Sequence, residues 1–347
     1  MTAGIGSVRH LVLAKQIARR DSMGRGFVMR SARIPAPMSS LPSLAILVAL
    51  LALPAHALDL GGKWTKCEMR NVIVYSNARD FTTKAIVSNI ERMRGALGHI
   101  MGLRTESAVP TTIFVFDGEP AFAPVRKAVF GARGPELVGF FTHSDGRFFV
   151  AMEIDAGARG DRVVYHEITH SLIENTAAGL PLWYQEGVAE FYSTFTVKGK
   201  AVVVGSIPKA FVDTMLETGL MPLRRVFAID TRSPEYNGVH AGPFYATSWL
   251  FVHYLLVGAP QRAGQLGTYL ALLDAKKPVD AAFQTAFGTT PEQFQGELWS
   301  YVNRPKLQVV SYTFPDLNAI SVPPPVPVEN TEVVRAFEPL LPRNAAQ

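Results

Sequence analysis

The chain has 347 residues and a formal net charge of +5, long enough for one large or two modest domains. The excess is local: residues 1–57 hold seven Arg or Lys against Asp21 alone, leaving 27 basic against 28 acidic residues in the remainder, a net of −1. A body so balanced gives no reason to expect a nucleic-acid partner. Cys67 is the single cysteine, so there is no internal disulfide and stability must come from a packed core. The thiol reads as a small buried side chain.

Residues 44–53 are unbroken apolar chain, followed by Pro54 and by Ala55-His56-Ala57. This is the pattern of a secretory signal peptide cleaved after Ala57. The apolar run is shorter than the roughly 20 residues of a membrane span, so no stable span is expected in the mature chain. Leu58 rather than a cysteine follows the cleavage point, which argues against a lipoprotein. A start at Met29 would give a signal peptide of ordinary length with Arg30 and Arg33 at its positive end. Residues 1–28 then belong to a misassigned start, a hypothesis that an expressed peptide from this stretch would overturn. The expected location is periplasmic or secreted.

Val72-Ile73-Val74-Tyr75 reads as a strand ended by Ser76-Asn77. Residues 79–103 follow with helical periodicity, Phe81, Ile86, Ile90, Met93 and Leu97 forming one stripe. Thr111–Phe116 is a second strand. Gly139-Phe140-Phe141 and Arg147–Met152 flank Ser144-Asp145-Gly146, a hairpin signal. The helix that follows is expected to start at Asp161 as N-cap and to end just before Gly179, and Leu180-Pro181 opens the next one. Residues 201–205 read as a short strand or a loop. Helical patterns then cover 210–219, 243–257, 264–275, 278–286 and 291–303, the last opened by Thr290-Pro291-Glu292. Beyond Pro315 the chain is Pro-rich and then polar, which reads as an extended or disordered terminus. No internal repeat is found.

Chemistry concentrates in His166-Glu167-Ile168-Thr169-His170 and in Trp183-Tyr184-Gln185-Glu186-Gly187-Val188-Ala189-Glu190. On a helix, His166 and His170 lie one turn apart and point off one face. Two neutral imidazoles so placed can hold one Zn²⁺, and Glu167 beside them can deprotonate water at the metal. A hydrolytic zinc site needs a third protein ligand and an open position. The metzincin completion fails, because Ile173 and Thr176 stand where a Gly and a third His belong. The bland alternative is a pair of packed or solvated histidines and a carboxylate capping its own helix. For it to hold, both segments must be accidental.

The second segment resembles the ligand helix of gluzincin zinc metallopeptidases, and the pair is similar to that of small bacterial peptidase-MA-like domain proteins. The resemblance covers roughly residues 60–305 and is specific only at 166–190. It implies Glu186 as the third ligand, with Glu190 one turn on hydrogen-bonding a ligand histidine. It also implies a Tyr from a later helix that stabilises the oxyanion. Tyr245, in Gly242-Pro243-Phe244-Tyr245, matches by position, with His240 as the fallback donor. His253, inside an apolar helix, reads as structural. In such enzymes a small sheet walls the cleft and its edge strand pairs with an extended substrate; by that analogy residues 147–153 are the candidate edge. Ala151-Met152-Glu153 echoes an aminopeptidase motif, but Val150 and Ile154 replace its flanking Gly and Asn, and no exopeptidase activity is carried over.

The expected fold is α+β: a small mixed or antiparallel sheet with helices over 58–160, a metallopeptidase helical portion over 161–310, and a Pro-rich tail over 311–347. The expected function is peptide-bond hydrolysis with Glu167 as general base, on a peptide or protein substrate. Two alternatives share these residues: an envelope protein that keeps the metal for stability or partner binding, and a zinc amidase acting on a cell-wall amide. Neither the substrate sequence nor the oligomeric state is legible.

Overall fold

A computed structural model describes residues 60–105, 110–131, 138–144, 146–154, 158–177, 179–237, 241–314 and 320–341. The signal-peptide reading, the Met29 start and His240 lie outside them. Among the described residues no helix is long and apolar enough to cross a membrane. The architecture is α+β, a six-stranded mixed sheet followed by a mainly helical half with a small second sheet.

The first sheet is built around β3 (Thr111–Phe116), all six of whose residues are buried. It pairs in parallel with β2 (Val72–Ser76) on one side and β5 (Arg147–Glu153) on the other. A strand so enclosed must be apolar on both faces, and its side chains alternate accordingly. Ile113 and Val115 enter the large core with α1 (Asp80–Met101) and α3 (Ala158–Thr176). Phe114 and Phe116 enter a second core with Phe122 of α2 (Glu119–Phe130). In α1 the expected stripe buries Ile90, Met93 and Leu97, but Phe81, in the first turn, points outward at 83% exposure.

β4 (Gly139–Ser144) pairs antiparallel with β5, as the hairpin signal implied. The sheet order, however, is β4-β5-β3-β2-β1-β9, with β1 spanning Trp64–Met69 and β9 Val326–Val328. Residues 147–153 are therefore an interior strand and not the edge. The edge is β4, because β5 uses its other side to pair with β3. Ala151 and Met152 are accordingly buried within the sheet.

The C-terminal segment also departs from expectation. Residues 326–328 pair with Trp64–Lys66, Pro327 being tolerated at the sheet's outer edge, where a missing N–H costs no ladder bond. β8 (Val310–Thr313) joins β6 (Thr196–Lys198) and β7 (Ala201–Val204) in the second sheet. Helix α12 (Asn330–Phe337) then buries Val333 and Phe337 completely in the second core. The Pro-rich run is a strap leading to an amphipathic helix, and the described part of the tail belongs to the fold.

The helical half runs α4 (Leu182–Ser193), α5 (Lys209–Thr218), α6 (Leu223–Ala228), α7 (Pro234–Asn237), α8 (Gly242–His253) with a π turn over Tyr254–Gly258, α9 (Ala263–Asp274), α10 (Val279–Phe287) and α11 (Pro291–Val302). Thr290 caps α11 in a reciprocal box with Gln293. Trp183 of α4 is held in an aromatic cluster with Phe227, Phe251 and Tyr269, which fixes the helix that carries Glu186.

Candidate metal centre

Helix α3 begins at Ala158, so Asp161 lies inside its first turn rather than at its N-cap. Its 3.6-residue period puts Arg162, His166 and His170 on one stripe. That stripe faces α4, on which Glu186, Glu190 and Ser193 share the opposing face. The crossing thus brings together residues that lie 16 positions apart from His170 to Glu186.

The three expected ligands converge. His166 Nε2 and His170 Nε2 are 3.0 Å apart, and each lies 3.2 Å from Glu186 Oε2. The three atoms form a nearly equilateral triangle. Zinc with bonds of about 2.0–2.1 Å to nitrogen and oxygen has a tetrahedral edge of about 3.3 Å, so the triangle is close to one face of such a tetrahedron. The tautomer agrees with this. His166 Nδ1 lies 3.3 Å from Glu190 Oε1, and a proton donated there leaves the Nε2 lone pair aimed at the other two acceptors. Three lone pairs converging in a partly buried place call for a cation. The donor set therefore fits the metal.

The carboxylates around the triangle favour positive charge within it. Burial pushes the His166 imidazole down, but Glu190 and Glu186 outweigh it and hold the group well above its ordinary value. Glu186 is 2% exposed; burial pushes its carboxyl up, and the two histidines pull it well below the usual carboxylate range. Glu190 shifts down for the same kind of reason, burial being opposed by His166 and by Arg162. Glu167 moves the other way: burial raises it, and the two histidines only partly offset this. Two neighbouring carboxylates are thus driven apart, Glu186 held as an anion and Glu167 made easier to protonate.

Tyr245 lies on α8, half-buried, its ring stacked 6.0 Å from that of Tyr236. Burial and Glu186 raise its phenol above the ordinary range. Tyr236 donates its hydroxyl hydrogen to Glu186 Oε1 at 3.0 Å, so the bond between the two tyrosines must be donated by Tyr245. His253 is fully buried, its Nε2 2.9 Å from Gly205 O and its Nδ1 accepting from Tyr301 at 2.8 Å, which is a structural setting.

Sequence reasoning missed two residues at this site. Arg162 Nη2 donates to Glu190 Oε2 at 2.9 Å and Nε to Ser193 Oγ at 3.3 Å; its place one turn before His166 was the available signal. Tyr236 sits on a four-residue helix with no periodicity to reveal its direction. Searches of protein-family models and of curated proteins find no match to this chain.

Proposed function

We propose that the chain is an exported zinc-dependent peptidase of gluzincin type. The observation that carries this reading is the ligand triangle of His166, His170 and Glu186, with sides of 3.0–3.2 Å, beside a carboxylate of raised pKa. Zn²⁺ held by these residues supplies Lewis acidity toward a carbonyl oxygen and toward water. Glu167 takes the proton from the attacking water as its oxygen bonds to the carbonyl carbon, and passes that proton to the amine as the C–N bond breaks. Glu190 and Arg162 keep the His166 ring oriented through Nδ1. Tyr236 holds Glu186 by its second oxygen. Tyr245, next to it, gives up its bond to Tyr236 and donates to the oxyanion. β4, a terminal strand of the sheet, receives the extended substrate as an added strand. Export rests on the apolar run and Ala-His-Ala site at residues 44–57, and the amino terminus of the exported protein should be Leu58.

The test is metal content by elemental analysis together with hydrolysis of a peptide library. Wild type should hold about one zinc per chain, lost in His170→Ala and in Glu186→Ala. Glu167→Gln should keep the metal and lose about 100-fold or more in rate. Full activity in metal-loaded Glu167→Gln would sink the enzyme reading and leave a metal-keeping envelope protein.

A further inference from the structure

Helix α6 is a fixed post beside the metal centre. Leu223 and Val226 are buried, and Phe227 sits in the ring cluster around Trp183. Leu223 N donates to Gln295 Oε1 of α11 at 2.9 Å, and Arg224 pairs with Asp280 of α10 and Glu292 of α11. Arg225, next in the chain, turns to α7 instead. Its Nε donates to Glu235 Oε1 at 2.9 Å, and its Nη2 reaches the same oxygen.

Helix α7 cannot hold its place unaided. It has four residues, and a single turn costs more to nucleate than its own bonds return. The turn before it is closed locally, Ser233 Oγ accepting from Asp230 N at 3.0 Å and Asp230 Oδ1 from Arg232 N at 2.9 Å. Adjacent residues tie α7 to two other elements: Glu235 to Arg225 on α6, and Tyr236 to Glu186 on α4. A shift of α7 away from Arg225 therefore moves the Tyr236 hydroxyl relative to the ligand carboxylate. Glu235 has nothing else to hold it there, since its Oε2 is buried with no hydrogen-bond partner. With Arg225 gone, that carboxylate is left unpaired at 26% exposure and is drawn toward water, carrying α7 with it.

We propose that Arg225 is a positioning residue of the metal centre: it fixes α7 through Glu235, keeps Tyr236 on Glu186, and so keeps the ligand oxygen aimed at the two histidines. The proposal rests on the zinc reading of the ligand triangle and not on peptide hydrolysis. The Arg225 side chain is 51% exposed, which makes the effect sensitive to salt and limits its size. So exposed a pair shifts an equilibrium by about fivefold or less, against about 10–100-fold for loss of the orienting bond itself.

The test is zinc affinity by competition with a chelator, on the full chain well below its melting transition. Arg225→Gln should weaken zinc about threefold. Arg225→Glu, which sets two carboxylates against each other, should weaken it about tenfold. Arg225→Glu with Glu235→Arg rebuilds the pair with its polarity reversed and should return the affinity to within about twofold of wild type. Salt at about 1 M should bring wild type down to Arg225→Gln. In a Tyr236→Phe background, Arg225→Gln should weaken zinc no further, because the bond through which it acts has already gone. A merely structural role would weaken zinc equally in both backgrounds. Unchanged affinity in Arg225→Glu, no recovery in the reversed pair, or equal weakening with and without the Tyr236 hydroxyl overturns the proposal. The two readings fail separately. A chain that shows this pattern yet hydrolyses nothing keeps the role of Arg225 and loses the peptidase. One that hydrolyses peptides with unaltered zinc affinity in Arg225→Glu keeps the peptidase and loses the role.

Discussion

The hydroxyl of Tyr236 donates to Oε1 of Glu186 at 3.0 Å, across 50 residues of chain. The other carboxylate oxygen, Oε2, is the one that faces both histidines. One oxygen is therefore fixed by a phenol and the other is left for a metal, which favours a single-oxygen ligand of defined direction. Removing such an orienting bond typically costs about 10–100-fold in metal affinity. Tyr236→Phe should weaken zinc by that factor in competition with a chelator, with unchanged circular dichroism. Unaltered zinc affinity would mean that Glu186 is positioned by its helix alone.

Gly187 follows the ligand carboxylate for a packing reason. A Cβ there would stand 2.5 Å from Ser248 O and 2.7 Å from Val252 Cγ2, so α4 and α8 approach backbone to backbone. The obstacle is a main-chain oxygen that cannot rotate away. Gly187→Ala should cost about 1–3 kcal/mol by overpacking and push α4 off α8, displacing Glu186 relative to the two histidines. Thermal melting and zinc content should fall together. A variant with wild-type melting temperature and full zinc would show that the helices yield at no cost.

What was legible follows how local each cause is. His166, His170 and Glu186 are set by spacing on two consecutive helices, and the structure brings all three together. The five helices read between 210 and 303 have limits right within a residue or two, because Pro and Gly punctuate the chain around them. Helices α6 and α7 are too short to show a period and are not read. Strand order is a different matter. Both strands of the 139–153 hairpin read as strands, yet which becomes the edge depends on β5 pairing with β3, a contact that leaves no mark in either sequence. Tyr236 and Arg162 reach the site through tertiary packing. The clasp at the C-terminus was masked by its own prolines, which look like a solvated tail until Val333 and Phe337 are seen on one face of a helix.

His253 supplies a pH dependence independent of the metal. Burial lowers its pKa to about 4, against the ordinary 6.5 kept by the unfolded chain. Between those values the unfolded state binds the extra proton, so stability is lost as pH falls from 6.5 toward 4 and levels off below. The shift corresponds to roughly 3 kcal/mol at full extent. In the folded protein the ring nitrogens of His253, followed by NMR in histidine-labelled samples, should show no titration from pH 8 to pH 5. A midpoint near 6.5 would mean that the ring is not shut off from water as its burial implies.

Phe337 tests whether the C-terminal clasp is part of the fold. Its ring is fully buried and meets Phe114 edge-on at 4.9 Å, with Phe116 at 6.5 Å. Glu332, one turn and a residue earlier on the same helix, accepts from Tyr75 at 3.0 Å and pairs with Lys66 at 3.4 Å. Truncating a core phenylalanine costs about 3–5 kcal/mol, whereas the same change in a solvated tail costs nothing. Phe337→Ala should therefore shift the denaturation midpoint as a core mutation does, and Glu338→Ala, four residues from the Val334 backbone it follows, should not. Because Phe114 belongs to the strand between β2 and β5, the loss should reach the sheet that leads into α3, lowering zinc retention near the melting transition. An unmoved midpoint for Phe337→Ala would return residues 320–341 to the status of a tail.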